Sequence, residues 1–321
     1  MALDRSRAAR LAPLALVGVS ITSVQFGAAL AATLFPLVGA AGVVALRSAV
    51  AAVALGAAAR SRPVQVRDDV VALTGTGRWA ALRAPVALGV VLAAMNTCVY
   101  QALARLPLGV VITLEFLGPL GVALAHSRRR ADVVMALAAG AGVVLLTVPG
   151  DGGRGRLDAV GVVLALLGAL GWALYILLNR ELGRRRSGPG LATSALVAAV
   201  LVVPAGWLAA GTALVRPHVL LLGIAVGVLS SALPFSLDRL ALRHLSPGPY
   251  GVLMSVNPAM ATLAGLLVLQ QMPGPVQLAG TALVVAASAA ACGAAGAASR
   301  RPSAAATPES LQVGAARVDT A

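Results

Sequence analysis

Charged residues are scarce in this sequence, and lysine is absent. Charged residues make up 11% of the 321 residues, whereas a soluble protein of this length carries about a quarter. Hydrophobic residues make up 59% and are spread along nearly the whole chain. This composition excludes an ordinary soluble domain and predicts an all-α polytopic membrane protein.

Cysteine and the common catalytic motifs are also scarce or missing. Cys98 and Cys292 both lie in apolar stretches, which favours buried thiols over a disulfide framework. The chain has no H-E-x-x-H, G-x-S-x-G or P-loop motif. The letters GDGGRG at 150–155 match the dinucleotide motif, but they fall between two apolar runs rather than between a strand and a helix. The histidines are not clustered. We therefore expect no enzyme, no metal site and no cofactor.

Ten apolar runs are long enough to cross a bilayer, which takes about 20 residues per helix. The first run is too long for a cleaved signal peptide, and nine others follow it. The segment 299–321 is polar and rich in Ala, Pro and Ser, which predicts a disordered cytoplasmic tail. The predicted spans are 11–31, 36–59, 84–104, 108–126, 131–149, 157–179, 190–211, 217–237, 248–269 and 275–297.

The arginines indicate the orientation of these spans. The formal net charge is +14, but the basic residues lie in short clusters between apolar runs, not on one soluble face, so nucleic acid is not an expected partner. Twenty of the 25 arginines fall on the side that carries both termini, four fall on the other side, and Arg47 lies inside a span. Because cytoplasmic loops are enriched in Arg, both termini are predicted to be cytoplasmic.

A weak internal repeat relates the two halves of the chain. Residues 102–124 align with residues 241–263 at a constant offset of 139, with identical Gly and Pro positions among the matches. Each half holds five spans, and an odd number predicts that the halves are inverted relative to each other. Inverted repeats suit alternating access. The predicted units are 1–149, with a short cytoplasmic N-terminus, and 150–298.

Two ionisable residues, Glu115 and Arg47, lie well inside predicted spans. One interpretation is a buried ion pair that holds spans two and four together. The other is that one or both line a water-filled cavity, because intramembrane charges usually mark substrate or proton pathways. The two interpretations are compatible.

Two prolines lie in the middle of spans: Pro119 in span four and Pro258 in span nine. Proline removes one helical hydrogen bond and leaves a carbonyl without its donor. The simple interpretation is a harmless kink. The alternative is a bend that presents backbone acceptors to a substrate.

Other polar residues lie near the ends or outer halves of spans. Asn96 and Tyr100 are four residues apart, hence on one face of span three. A helix contact explains them about as well as a cavity wall does. Asp238 and Arg239 end span eight and are most simply an interfacial pair, with a place at a cavity mouth as the alternative.

The chain resembles the drug/metabolite transporter superfamily in its EamA branch, and within it the threonine/homoserine exporter subfamily. The resemblance covers all ten spans. It implies a ten-helix inner-membrane exporter built from two inverted five-helix repeats, with a cavity walled largely by spans three, four, eight and nine. The motifs that carry it are NTCVYQALARLPLG, LEFLGPLGVAL, GWALYILLNR and SSALPFSLDRLALRHL…GVLMSVNPAMATLAGL.

By this resemblance, Glu115 matches the family's acidic position in span four and Arg47 its arginine in span two. Asp238 stands where relatives carry an acid near the end of span eight. The chain departs from the family pattern at Asn257, where relatives have Glu immediately before the proline of span nine. Asn257 cannot ionise, so Glu115 remains the main membrane-embedded acid.

We expect a bacterial plasma-membrane exporter of small neutral amino acids, similar to threonine or homoserine, or of related metabolites, coupled to protons. One cation and one anion in a cavity suit a zwitterion better than an apolar drug. The alternatives are another metabolite or drug-like cargo on the same fold, or a non-transporting membrane scaffold or receptor.

Overall fold

The computed structural model describes residues 2–60, 78–125, 130–147, 158–184, 190–241, 244–245 and 247–298. The regular elements of this part of the chain are helical, and the predicted tail 299–321 lies outside it. Besides the α-helices, the described part contains a 3-10 turn, Gly211–Val215, and a π-helical segment, Val228–Ala232. The helices are α1 (Ala2–Thr33), α2 (Phe35–Arg60), α3 (Arg78–Leu103), α4 (Leu108–Glu115), α5 (Leu117–Ala125), α6 (Arg130–Thr147), α7 (Ala159–Arg184), α8 (Leu191–Ala210), α9 (Pro217–Gly227), α10 (Leu233–Ala241), α11 (Pro247–Met254), α12 (Asn257–Leu269) and α13 (Pro275–Ala298).

Eight helical stretches among the described residues are long and apolar enough to cross a bilayer. The predicted fifth and tenth spans correspond to shorter apolar helices, Val133–Leu146 and Pro275–Ala291. The all-helical membrane class is therefore confirmed for the described residues. The ten-span count and the inverted repeat remain predictions.

The fourth and ninth spans are each broken near the middle. The first break falls at Phe116, between α4 and α5, and the second at Ser255 and Val256, between α11 and α12. Pro119 lies in the first turn of α5, and Pro258 lies in the first turn of α12. Proline has no N–H to continue the preceding turn and its ring crowds that turn, so a helix restarts there rather than running on.

Close helix contacts set the position of α2. A Cβ added at Gly206 of α8 would meet the Cβ of Ala45, and one added at Gly223 of α9 would lie 3.0 Å from Leu46. Glycine at these positions lets the backbones approach. Because successive helical residues point about 100° apart, these two contacts also determine the direction in which Arg47 projects.

Candidate functional site

A cavity of about 800 Å³ lies between the helices. Its wall includes residues from both halves of the chain. Pro119 and Pro258, both described, do not line it. The other six residues predicted from the sequence do: Arg47, Asn96, Tyr100, Glu115, Asp238 and Asn257.

Arg47 is held by neutral partners on two elements, α3 and the π-helical segment. Its Nε donates to Ser230 Oγ at 2.9 Å, and its guanidinium also donates to Asn96 Oδ1. Asn96 Nδ2 donates to the Leu92 carbonyl at 2.8 Å, which turns Oδ1 toward the arginine. The guanidinium carbon lies 5.6 Å from the centre of the Tyr100 ring, a cation–π arrangement. Arg47 is therefore a positioned cation on the cavity wall.

Arg47 and Glu115, both in the described part of the chain, form no ion pair within 4.0 Å. The buried ion pair considered from the sequence is thus absent from this conformation. Arg47 instead uses its donors on Ser230 and Asn96. The two charged groups line one cavity without neutralising each other by contact.

Glu115 is the last residue of α4, a helix in which every residue is buried. Its own exposed fraction is 9%. The next residue, Phe116, packs edge-to-face on Trp172 with ring centroids 5.6 Å apart, which holds the break in span four against α7. Among the described residues, no hydrogen bond to the Glu115 carboxylate is formed. The carboxylate therefore lies at the cavity without a fixed partner.

Asn257 connects the ninth span to the first. Its Nδ2 donates to the Met254 carbonyl at 2.9 Å, and its Oδ1 accepts from Gln25 Nε2 at 2.8 Å. The sequence predicted that the mid-span prolines leave carbonyls without donors. At Pro258 that carbonyl belongs to Met254, and the Asn257 side chain supplies the missing donor. This bend therefore does not present its carbonyl to the cavity.

Asp238 lines the same cavity from α10. The hydroxyls of Ser20 and Tyr250 lie beside its carboxylate, but Oδ1 is buried and accepts no hydrogen bond. The predicted interfacial pair involves the Arg239 side chain, which lies outside the described residues. Asp238 lines the cavity, and its place at a cavity mouth remains a prediction.

Several cavity residues were missed by the sequence analysis. Gln25 is the one carboxamide of the first apolar run, and Ser230 lies in a Ser-Ser pair inside the eighth. Trp172 and Tyr250 are aromatic residues in a chain with 3% aromatics. Rarity inside an apolar run is the signal that would have found them, because buried polar groups need partners.

The described residues contain no group of three His, Cys, Asp or Glu side chains that could hold a metal ion. His218 and His244 are each exposed. Cys98 is a free thiol.

Comparison with known proteins gives a family, sequence relatives and a structural relative. The EamA-like transporter family matches residues 159–291. The threonine/homoserine exporter RhtA of Escherichia coli strain K12 is 38% identical over 277 residues, which cover 86% of this chain and 90% of that protein. RhtA of Salmonella typhimurium strain LT2 is 36% identical over 277 residues, with the same shares. A protein of known crystal structure shares the fold at TM-score 0.60 and 21% identity, over 89% of this chain and 99% of its own.

Proposed function

The chain belongs to the EamA-like transporter family, and we propose that it exports threonine, homoserine or related small neutral amino acids in exchange for protons. As a member of this family it is a multi-pass membrane transporter and not an enzyme. The substrate class is supported by the exporters that it matches at 38% identity. The observation that carries the proposal is a cavity lined by a positioned arginine and a carboxylate that do not pair with each other.

The charges on the cavity wall complement those of a zwitterion. The planar guanidinium of Arg47 suits bidentate binding of a carboxylate. The Glu115 carboxylate suits an ammonium group and has no fixed partner that the substrate would need to displace. A drug-like apolar compound would leave both charges without a counter-charge, which is unfavourable in a desolvated site.

We assign proton coupling to Glu115. Asn257 cannot ionise, and among the acids of the cavity Glu115 lies in a wholly buried helix. Burial favours the neutral form of a carboxyl group, and a nearby cation favours the charged form. Arrival of substrate or water changes this balance, so the group can bind a proton on one side and release it on the other.

We further propose that the substrate enters from the cytoplasm of a bacterial cell. With both termini inside, the carboxyl ends of α2, α7 and α10 and the start of α8 face the cytoplasm. The cavity wall includes a residue near each of these helix ends: Leu55, Asn179, Asp238 and Leu191. The units 1–149 and 150–298 would then exchange roles to open the site outward.

The orientation is testable by cysteine labelling in a background without the two natural cysteines. We expect single cysteines introduced at Gly152 and Gly274 to react with an impermeant thiol reagent added outside intact cells, and one at Ser187 to react only after the membrane is opened. Gly152 and Ser187 lie outside the described residues. Labelling at Ser187 in intact cells would refute the orientation.

The substrate class is testable by competition in proteoliposomes loaded with unlabelled threonine. We expect entry of labelled threonine by exchange, and inhibition of this entry by homoserine. β-Hydroxybutyrate lacks the ammonium group and isopropanolamine lacks the carboxylate; each should compete roughly tenfold or more weakly, because one cavity charge stays unpaired. If either analogue competed as strongly as homoserine, zwitterion binding would be contradicted. Absence of any exchange would contradict the proposed export.

A further inference from the structure

Gln25 is a buried carboxamide on the cavity wall. The residue is 2% exposed and lines the cavity. Its Nε2 donates to Asn257 Oδ1 at 2.8 Å, while its Oε1 is buried and has no hydrogen-bond partner. An acceptor in this position is unfavourable unless a donor meets it at some stage of the protein's cycle.

The orientation of this carboxamide follows from the proline of the ninth span. Pro258 has no N–H, so the Met254 carbonyl, four residues earlier, lacks its helical donor. Of the two ends of the Asn257 carboxamide, only the nitrogen can donate to that carbonyl, and it does so at 2.9 Å. The Asn257 oxygen then points at Gln25 and requires the nitrogen of Gln25, which leaves Gln25 Oε1 as the unpaired acceptor.

Gln25 lines the same cavity as Arg47 and Ser230. Gly27, two residues further along α1, packs so closely on the π-helical segment that an added Cβ would lie 3.1 Å from the Ser230 nitrogen. Ser230 in turn accepts the hydrogen bond from Arg47. The first helix therefore packs on the segment that binds Arg47, and Gln25 lines the cavity in which the substrate carboxylate is proposed to bind.

We propose that Gln25 selects amino acids that carry a side-chain hydroxyl, with Oε1 accepting the hydrogen bond from that hydroxyl. This inference rests on the proposed export of small neutral amino acids and identifies the side-chain hydroxyl as the substrate feature that the site recognises. The last torsion of a glutamine side chain is soft, so a small turn of the carboxamide brings Oε1 to the cavity surface. A substrate without the hydroxyl leaves the acceptor unpaired and is disfavoured for that reason.

The test uses α-aminobutyrate, which is the deoxy form of both threonine and homoserine. In proteoliposomes, we expect the wild type to exchange threonine with a kcat/KM roughly tenfold or more above that of α-aminobutyrate. Gln25→Met keeps the length of the side chain and removes both polar atoms, and it should bring this ratio close to one. Gln101→Met changes a glutamine that does not line the cavity and should leave the ratio at its wild-type value.

A purely structural role for Gln25 predicts a different result, because a weakened contact between α1 and α12 would slow both substrates equally and preserve the ratio. That result would overturn the inference, as would equal exchange of the two substrates by the wild type. Equal exchange of the two substrates would still be consistent with amino-acid export, whereas no exchange of either substrate would contradict the proposed function itself.

If Gln25→Met does not fold, Pro258→Ala provides the test. Its restored N–H can donate to the Met254 carbonyl, so the Asn257 amide is no longer held in one orientation. In this variant the kcat/KM ratio of threonine to α-aminobutyrate should fall, and a ratio at the wild-type value would overturn the inference.

Discussion

We expect Glu115→Gln to abolish the dependence of threonine transport on an imposed pH gradient. Glutamine has nearly the same shape as glutamate but cannot bind and release a proton. Exchange of labelled for unlabelled threonine at saturating concentration should persist, because exchange needs no net proton movement. The variant therefore separates the proton-coupling role of the carboxyl group from its role in binding the ammonium group.

The measurement is uptake of labelled threonine into proteoliposomes whose lumen is more acidic than the bath. At one proton per substrate, a difference of about two pH units supports about a hundredfold accumulation in the wild type. Glu115→Gln should reach no accumulation above equilibration. Glu181→Gln, at an exposed position near the end of α7, is the matched control and should accumulate threonine as the wild type does. Full gradient-driven accumulation by Glu115→Gln would mean that another group couples the proton.

The second large effect is expected from exchanging the two charges. Arg47→Glu combined with Glu115→Arg should insert and fold but lose export by roughly a hundredfold or more. If these residues served only as a structural salt bridge, the exchange would restore much of what either single change removes. The structure gives a reason against restoration, since Arg47 binds Asn96 and Ser230 rather than Glu115.

The environment of residue 47 is specific for a donor. Asn96 Oδ1 can only accept, and the bond from Asn96 Nδ2 to the Leu92 carbonyl keeps it pointed at residue 47. A glutamate there would face an acceptor, which is repulsive. Folding is checked by the elution profile of the purified protein, and export by threonine efflux from cells, with Arg47→Lys as the variant that keeps the charge but loses the bidentate geometry. An exporting double variant would contradict the proposal.

Six of the eight site residues predicted from the sequence line one cavity. A charged or amide side chain inside an apolar span is unfavourable against lipid and therefore turns toward the protein interior or a cavity. This reasoning places Glu115 and Arg47 from the sequence alone, whereas Asn257 was identified through the family resemblance. The same reasoning applies to Gln25, which was overlooked, but it does not identify the partner of that amide, which lies 232 residues away.

The mid-span prolines also show which features the sequence predicts and which depend on the fold. Proline chemistry predicts a bend and an unpaired carbonyl at Pro258 from the sequence. The sequence alone leaves open what becomes of that carbonyl. In the folded chain the neighbouring Asn257 amide binds it, so the free acceptor at the cavity wall is displaced from the backbone to Gln25.

The membrane class and the places where polar groups enter the apolar runs follow from the sequence, because these depend on hydropathy summed over local runs. Which polar groups meet depends on how the helices pack in the folded chain. Arg47 reaches Ser230 and Asn96 because contacts of Gly206 and Gly223 with α2 set the rotation of that helix. Such a rotation depends on close packing between residues more than 150 positions apart, and no local pattern encodes it.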